Sequence, residues 1–102
     1  FRNVSMNFAW THIIDPLYCQ QFFAEAVSSV PLGKINAFGS DFTGLVDRAW
    51  AHCQIAKDNI AISLSGLVDA DFMGINDAFC AAKMVFFDNP VEFYGIKKHL
   101  YL

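Results

Sequence analysis

Charge is scarce in this sequence: 17% of its 102 residues are Asp, Glu, Lys or Arg, against ~25% in an ordinary soluble domain. The seven basic residues form no stripe, and the net charge is −3, so an electrostatic footprint for phosphates is missing and nucleic acid is not an expected partner. Long apolar runs are missing too. The longest stretch without a charged residue, Asn3 to Ile14, holds Asn, Ser, Thr and His and falls short of the ~20 apolar residues of a membrane helix. No basic segment followed by an apolar one opens the chain, so no secretory leader is visible. The three cysteines, Cys19, Cys53 and Cys80, are an odd count without a CxxC pair, which argues against a disulfide framework or a zinc ribbon. They read as buried, reduced thiols of a cytoplasmic protein. No HxH, HExxH, GxGxxG, phosphate-loop GK[ST] or GxSxG pattern occurs. Asp69, Asp71 and Gly74 imitate part of a calcium loop, but Cys80 stands where the bidentate Glu is required.

What the chain has instead is apolar mass, 55% hydrophobic and 16% aromatic residues. Its length suits one small domain, which buries only about two thirds of the surface its unfolded chain exposes. Large apolar surface is therefore expected to stay uncovered on the chain alone. Oligomerisation would cover it, as would the remainder of a larger protein. Phe at position 1 in place of Met favours the second expectation, a single partial domain over residues 1–102.

Local patterns predict an α/β order. Asn3 to Trp10 is short, almost free of charge and rich in β-branched and aromatic residues, as in a strand buried on both faces; the strand is expected near 4–10. Asp15-Pro16 starts a helix near 16–29, with Pro16 at the first helical position and Asp15 as its cap. Tyr18, Phe22, Ala26 and Val30 recur at spacing four along it, with Phe23 and Val27 beside them. Lys34 to Phe38 predicts a second strand near 34–39. Strand, helix and strand then form a right-handed parallel crossover. A long helix near 43–65 follows, with Leu45, Ala49, Cys53, Ala56 and Ile60 on one face and Gly66 as its stop. A third helix, near 72–87, is expected to be capped by Asp71 or Asn76. Asn89-Pro90 would open a last turn.

Chemistry concentrates at Gly39-Ser40-Asp41, just past the carboxyl end of the second strand. In parallel α/β proteins that end carries the ligands. A carboxylate there can hold a divalent metal or take a proton from water, and Gly39 would let the backbone approach a ligand closely. The structural alternative makes Asp41 the cap of the helix that starts near Thr43. Trp10, Thr11 and His12 end the first strand and would share a rim with Asp41, so Trp10, Thr11, His12 and Ser40 are candidate substrate-pocket residues. His12, flanked by Ile13 and Ile14, equally suits a packed histidine. His52 pairs with Arg48 at i, i+4 on what reads as a solvated helix face.

Taken in order, the motifs resemble a family. Gly39-Ser40-Asp41 after a strand, Asp58-Asn59-Ile60-Ala61 within a helix, and a closing Asn89-Pro90 with Phe93-Tyr94-Gly95 are similar to the C-terminal part of metal-dependent amidohydrolases, in the branch related to uronate isomerases. The resemblance covers nearly the whole chain. It implies an α/β fold in which this chain supplies the last two βα units of a (β/α)₈ TIM barrel, plus C-terminal helices. It implies that Asp41 is a metal ligand or general base, catalytic in either role, and that a divalent metal, zinc, serves the intact protein. The remaining ligands would lie upstream, and no ligand role falls to Asn7. The implied function is metal-dependent hydrolysis of a small-molecule substrate, or sugar-acid isomerisation, by a homo-oligomer in its intact form. The competing expectations are a non-enzymatic α/β interaction module and a small enzyme assembling its sites between subunits.

Overall fold

The computed structural model describes residues 2–41 and 44–100. Helices dominate it, and the β structure among the described residues is two strands of two residues each, β1 (Met6–Asn7) and β2 (Ile35–Asn36). They pair in parallel, with Met6 opposite Ile35 and Asn7 opposite Asn36. This overturns the expected pair of βα units of a TIM barrel. What forms is a helical assembly around one short parallel ribbon.

The physical reasons lie on both strands. Asn7 ends β1 by turning on itself: its Oδ1 accepts the Ala9 N–H at 2.7 Å, the local side-chain bond that competes with a ladder. The Thr11 N–H then donates to the Phe8 carbonyl at 3.0 Å, and the chain enters a one-turn helix, α1 (Thr11–Ile14). On the other strand, the Ala37 N–H donates to the Val85 carbonyl at 2.9 Å, and the Ala37 carbonyl is taken by His12. With both groups engaged by non-strand partners, the ladder stops at Asn36.

The Val85 carbonyl is free for Ala37 because the helix that carries it is widened there. Helices α4 (Ile75–Lys83) and α5 (Asn89–Phe93) are joined by a π turn, Met84–Asp88. Within it the Asn89 N–H reaches back to Met84 instead of to Val85, as a regular helix would require. Pro90, without an N–H of its own, follows at once.

Asp15-Pro16 opens α2 (Pro16–Ser29), with Pro16 in the first turn and the Tyr18 N–H donating to the Asp15 carboxylate at 2.9 Å. Such a cap is worth about 1 kcal/mol. A 3₁₀ turn, Leu32–Lys34, leads into β2. The long helix α3 spans Val46–Asp69; Thr43, its expected start, lies outside the described residues. It runs past Gly66 and ends where Asp71 takes the left-handed conformation, φ 57°, the place a glycine commonly fills. Gly74 precedes α4, and its N–H is held by Asp77 at 3.2 Å, so neither Asp71 nor Asn76 caps that helix.

The core lies between the ribbon and α2, α3 and α4, centred on Phe8, Phe23, Ile35, Ile60 and Val85. Apolar side chains remain outside it, as the composition leads one to expect: Val46 is 83% exposed, Ile14 76%, Phe79 70% and Trp50 66%.

Candidate functional site

Both parallel strands end on the same side, and there the chain places Asp41. Its backbone is left-handed, φ 47°, a conformation Asp tolerates better than most residues. The Trp10 indole N–H, from the end of the other strand, donates to Asp41 Oδ2 at 2.7 Å. Asp41 itself stays exposed. It does not cap α3, whose N-cap is Leu45 without a side-chain bond. The carboxylate is therefore oriented by one donor and keeps acceptor capacity toward solvent.

Just before it, Gly39 packs closely against Asn7. A Cβ there would stand 3.0 Å from Asn7 Oδ1, so the absent side chain makes room for the Asn7 carboxamide and not for a ligand. Ser40 lies half-buried between Gly39 and Asp41. Beside Trp10 an apolar cleft of about 300 Å³ is walled by Thr11, Ile14 and Tyr18, a surface on which the apolar part of a small molecule could rest.

Thr11 and His12 bond to partners other than Asp41. Thr11 Oγ1 donates to the Phe8 carbonyl at 2.5 Å. His12 is fully buried, and its Nε2 lies 2.6 Å from the Ala37 carbonyl. A carbonyl only accepts, so Nε2 carries the proton and Nδ1 is the acceptor. Asn59 Nδ2 and Cys19 Sγ both stand 3.3 Å from Nδ1. Asn59 also donates to the His12 carbonyl and accepts from Gln20 Nε2 at 3.0 Å. The imidazole thus joins α1, α2, α3 and the end of β2 in one satisfied buried network.

The sequence reading set His52 on a solvated face and gave Asn59 and Ser63 no place in the interior. All three are buried in α3. The His52 ring packs against Phe38 at 5.0 Å, Trp10 at 5.8 Å and His12 at 6.2 Å, which corrects its expected place on a solvated face. The thiols also separate: Cys19 is buried, Cys53 half-buried and Cys80 exposed, where three buried thiols were expected. Cys19 beside His12 is no nucleophile. Burial pushes its thiol above the ordinary range, against a smaller opposing pull from the Thr11 hydroxyl, and no face of it meets solvent.

Burial also lowers the His12 pKa below its ordinary 6.5. The bond to Ala37 opposes this, and nearby His52 adds to it. A base whose pKa is depressed by folding binds more protons when unfolded, so it leaves stability intact above pH 6.5 and erodes it as the pH falls below that value. Urea midpoints measured at about pH 7.5 and about pH 5 should therefore differ, the acid value being lower, and His12→Gln should shrink that difference. An unchanged difference in the variant would remove His12 as its source.

Among the described residues no three His, Cys, Asp or Glu side chains gather as a metal site. Asp41 is a single carboxylate, and open catalytic zinc sites use about three protein ligands. The zinc implied by the resemblance is not fitted by these residues alone. Among the described residues no helix is long and apolar enough to cross a membrane. Compared with known proteins, the chain matches no family model, no curated protein and no solved structure.

Proposed function

We propose that Asp41 is the general-base carboxylate of a hydrolytic site whose remaining groups come from residues other than those described. The observation that carries this reading is the state of Asp41: exposed, uncapped to any helix, left-handed, and held by the Trp10 indole N–H at 2.7 Å beyond the carboxyl ends of two parallel strands. A carboxylate fixed by one donor can accept a proton from water as that water attacks a carbonyl, and positioned bases of this kind contribute about 10²–10⁴-fold. The motif resemblance to metal-dependent amidohydrolases supports the hydrolytic direction. A base acting on a C–H group would serve the sugar-acid isomerisation that the same resemblance implies. Because the described residues do not fit zinc by themselves, the role assigned to Asp41 is proton acceptance alone. Three unbridged thiols favour the reducing cytoplasm as its compartment.

The exposed apolar side chains of α2, α3 and α4 favour a second reading, a non-catalytic interaction module. One set of measurements separates the two. The whole protein should hydrolyse members of a panel of small esters and amides, whereas the 102-residue chain alone should be silent and should self-associate in sedimentation velocity. A monodisperse chain of these residues turning over an ester unaided would overturn the hydrolytic reading as stated. A whole protein inert toward the panel, yet still holding a protein partner, would favour the interaction module.

A further inference from the structure

Asp41 ends a segment, residues 37–41, that belongs to no helix or strand. No ladder holds such a backbone, yet a base acts well only when its oxygen stays in one place. The tie at the far end of the segment, from Trp10 Nε1 to Asp41 Oδ2 at 2.7 Å, lies at an exposed residue. A bond that competes with water holds little by itself. A second tie joins the near end of the segment to the same stretch of chain that carries Trp10. His12, the second residue after Trp10, donates from Nε2 to the Ala37 carbonyl at 2.6 Å. This tie is dry, because His12 is fully buried. Asn59 Nδ2, donating toward Nδ1 at 3.3 Å, keeps the proton on Nε2 and the ring aimed at Ala37.

The two ties are not steps of one ladder. Asn7 pairs with Asn36 in the parallel ribbon, but Trp10 then meets Asp41 while His12 meets Ala37. The order is reversed because α1 turns the chain back, so the ties brace the two segments at separate ends. The buried His52 ring packs against both segments, on Trp10 and His12 of one and on Phe38 of the other. From this bracing we infer that His12 is a positioning residue for Asp41: its bond to the Ala37 carbonyl holds the segment on which the Trp10 indole orients the Asp41 carboxylate. His12 acts through Ala37 and Trp10 and makes no bond to Asp41. The coupling of the two bonds is independent of the hydrolytic reading, whereas its effect on turnover rests on that reading.

Proton exchange of the Trp10 indole N–H, read by NMR on the whole protein labelled with ¹⁵N and assigned by its loss in Trp10→Phe, tests the coupling. His12→Asn still offers an acceptor to Asn59 but stops short of Ala37, and it should speed this exchange at least about fivefold, the low end of coupling between sites. His12→Gln has an amide N–H with the reach of Nε2 and should keep the wild-type rate. Coupling is reciprocal, so Asp41→Ala, which removes the outer tie, should speed exchange of the His12 Nε2–H by the same factor, and Asp41→Asn, which keeps an acceptor for the indole, should not. Asp41 is exposed and caps no helix, so this second pair decides the question if His12→Asn does not fold. An unchanged Trp10 rate in folded His12→Asn, equal acceleration in the Asn and Gln variants, or a His12 N–H indifferent to Asp41→Ala would each overturn the inference. On an ester substrate, His12→Asn should lower kcat with KM nearly unchanged, and His12→Gln should restore it. A whole protein without turnover would sink the hydrolytic reading and leave the exchange result to stand or fall by itself.

Discussion

Asp41→Asn is expected to lower the turnover of the whole protein by about a hundredfold or more, the lower end of what a positioned general base supplies. The substitution keeps the size of the side chain and an oxygen that can still accept the Trp10 indole N–H, now 2.7 Å away, so orientation survives while basicity is lost. Asp41 is exposed and caps no helix, so the fold should not suffer: surface changes of this kind usually stay within about 0.5 kcal/mol. Steady-state kinetics on the best ester or amide substrate, with circular dichroism as the folding control, separate the two effects. A loss confined to kcat, with KM nearly unchanged, marks a group that acts on the transition state. Near-native turnover would end the assignment. Trp10→Phe, which removes the donor but keeps the aromatic wall of the cleft, should give a smaller loss in the same direction.

The largest effect on stability is expected at Phe8. Its ring is 1% exposed and lies 5.4 Å from Phe22, 5.7 Å from Phe23 and 6.2 Å from His12, where the end of β1 meets α2 and α1. Truncating a buried Phe to Ala costs about 3–5 kcal/mol through lost transfer energy and the cavity left behind. Native domains hold only about 5–15 kcal/mol in total, so Phe8→Ala should remove a large part of the stability or prevent folding. In a domain of this size each kcal/mol moves Tm by roughly 4–8 °C, so a fall of about 12 °C or more is expected by circular dichroism. Phe8→Leu, which refills most of the volume, should recover much of it. A Tm unchanged in Phe8→Ala would mean that this ring is not part of the core.

Features governed by neighbours along the chain were legible in the sequence. Asp15-Pro16 acts through a fixed φ and a side chain that reaches only three residues, and α2 starts there with the cap in place. Helix faces were read less well. In α2 the buried residues are Cys19, Phe23 and Ala26, with Phe22, Val27 and Val30 packed partly buried against the core; of the expected face only Tyr18 is exposed, and Cys19 is added to that face. In α3 the buried set includes His52, Asn59 and Ser63. Hydropathy does not mark Asn59 and Ser63 as interior, because their partners lie far away in sequence: Asn59 bonds His12 and Gln20, and Ser63 the Gln20 carbonyl at 2.8 Å.

The strands failed for a related reason. Asn3 to Trp10 and Lys34 to Phe38 have strand-like composition, but a ladder needs a partner at every step. The Asn7 side chain accepts from the Ala9 N–H, and Ala37 gives its N–H to a helix carbonyl opened by the π turn. Of the expected site residues, Trp10 does meet Asp41 and Thr11 lines the cleft beside Trp10, while His12 is drawn into the interior.

Local chemistry along the chain was enough to determine that α2 begins at the capped Asp15-Pro16 pair, that a carboxylate follows the second extended segment, and that apolar surface outweighs what so short a chain can cover. Tertiary structure alone decided how long the strands are, which side of each helix is dry, and that one histidine ties four elements together. The division has a physical cause: capping and φ restriction act over three or four residues, whereas the pairing of a buried polar atom is settled only when distant segments arrive beside it.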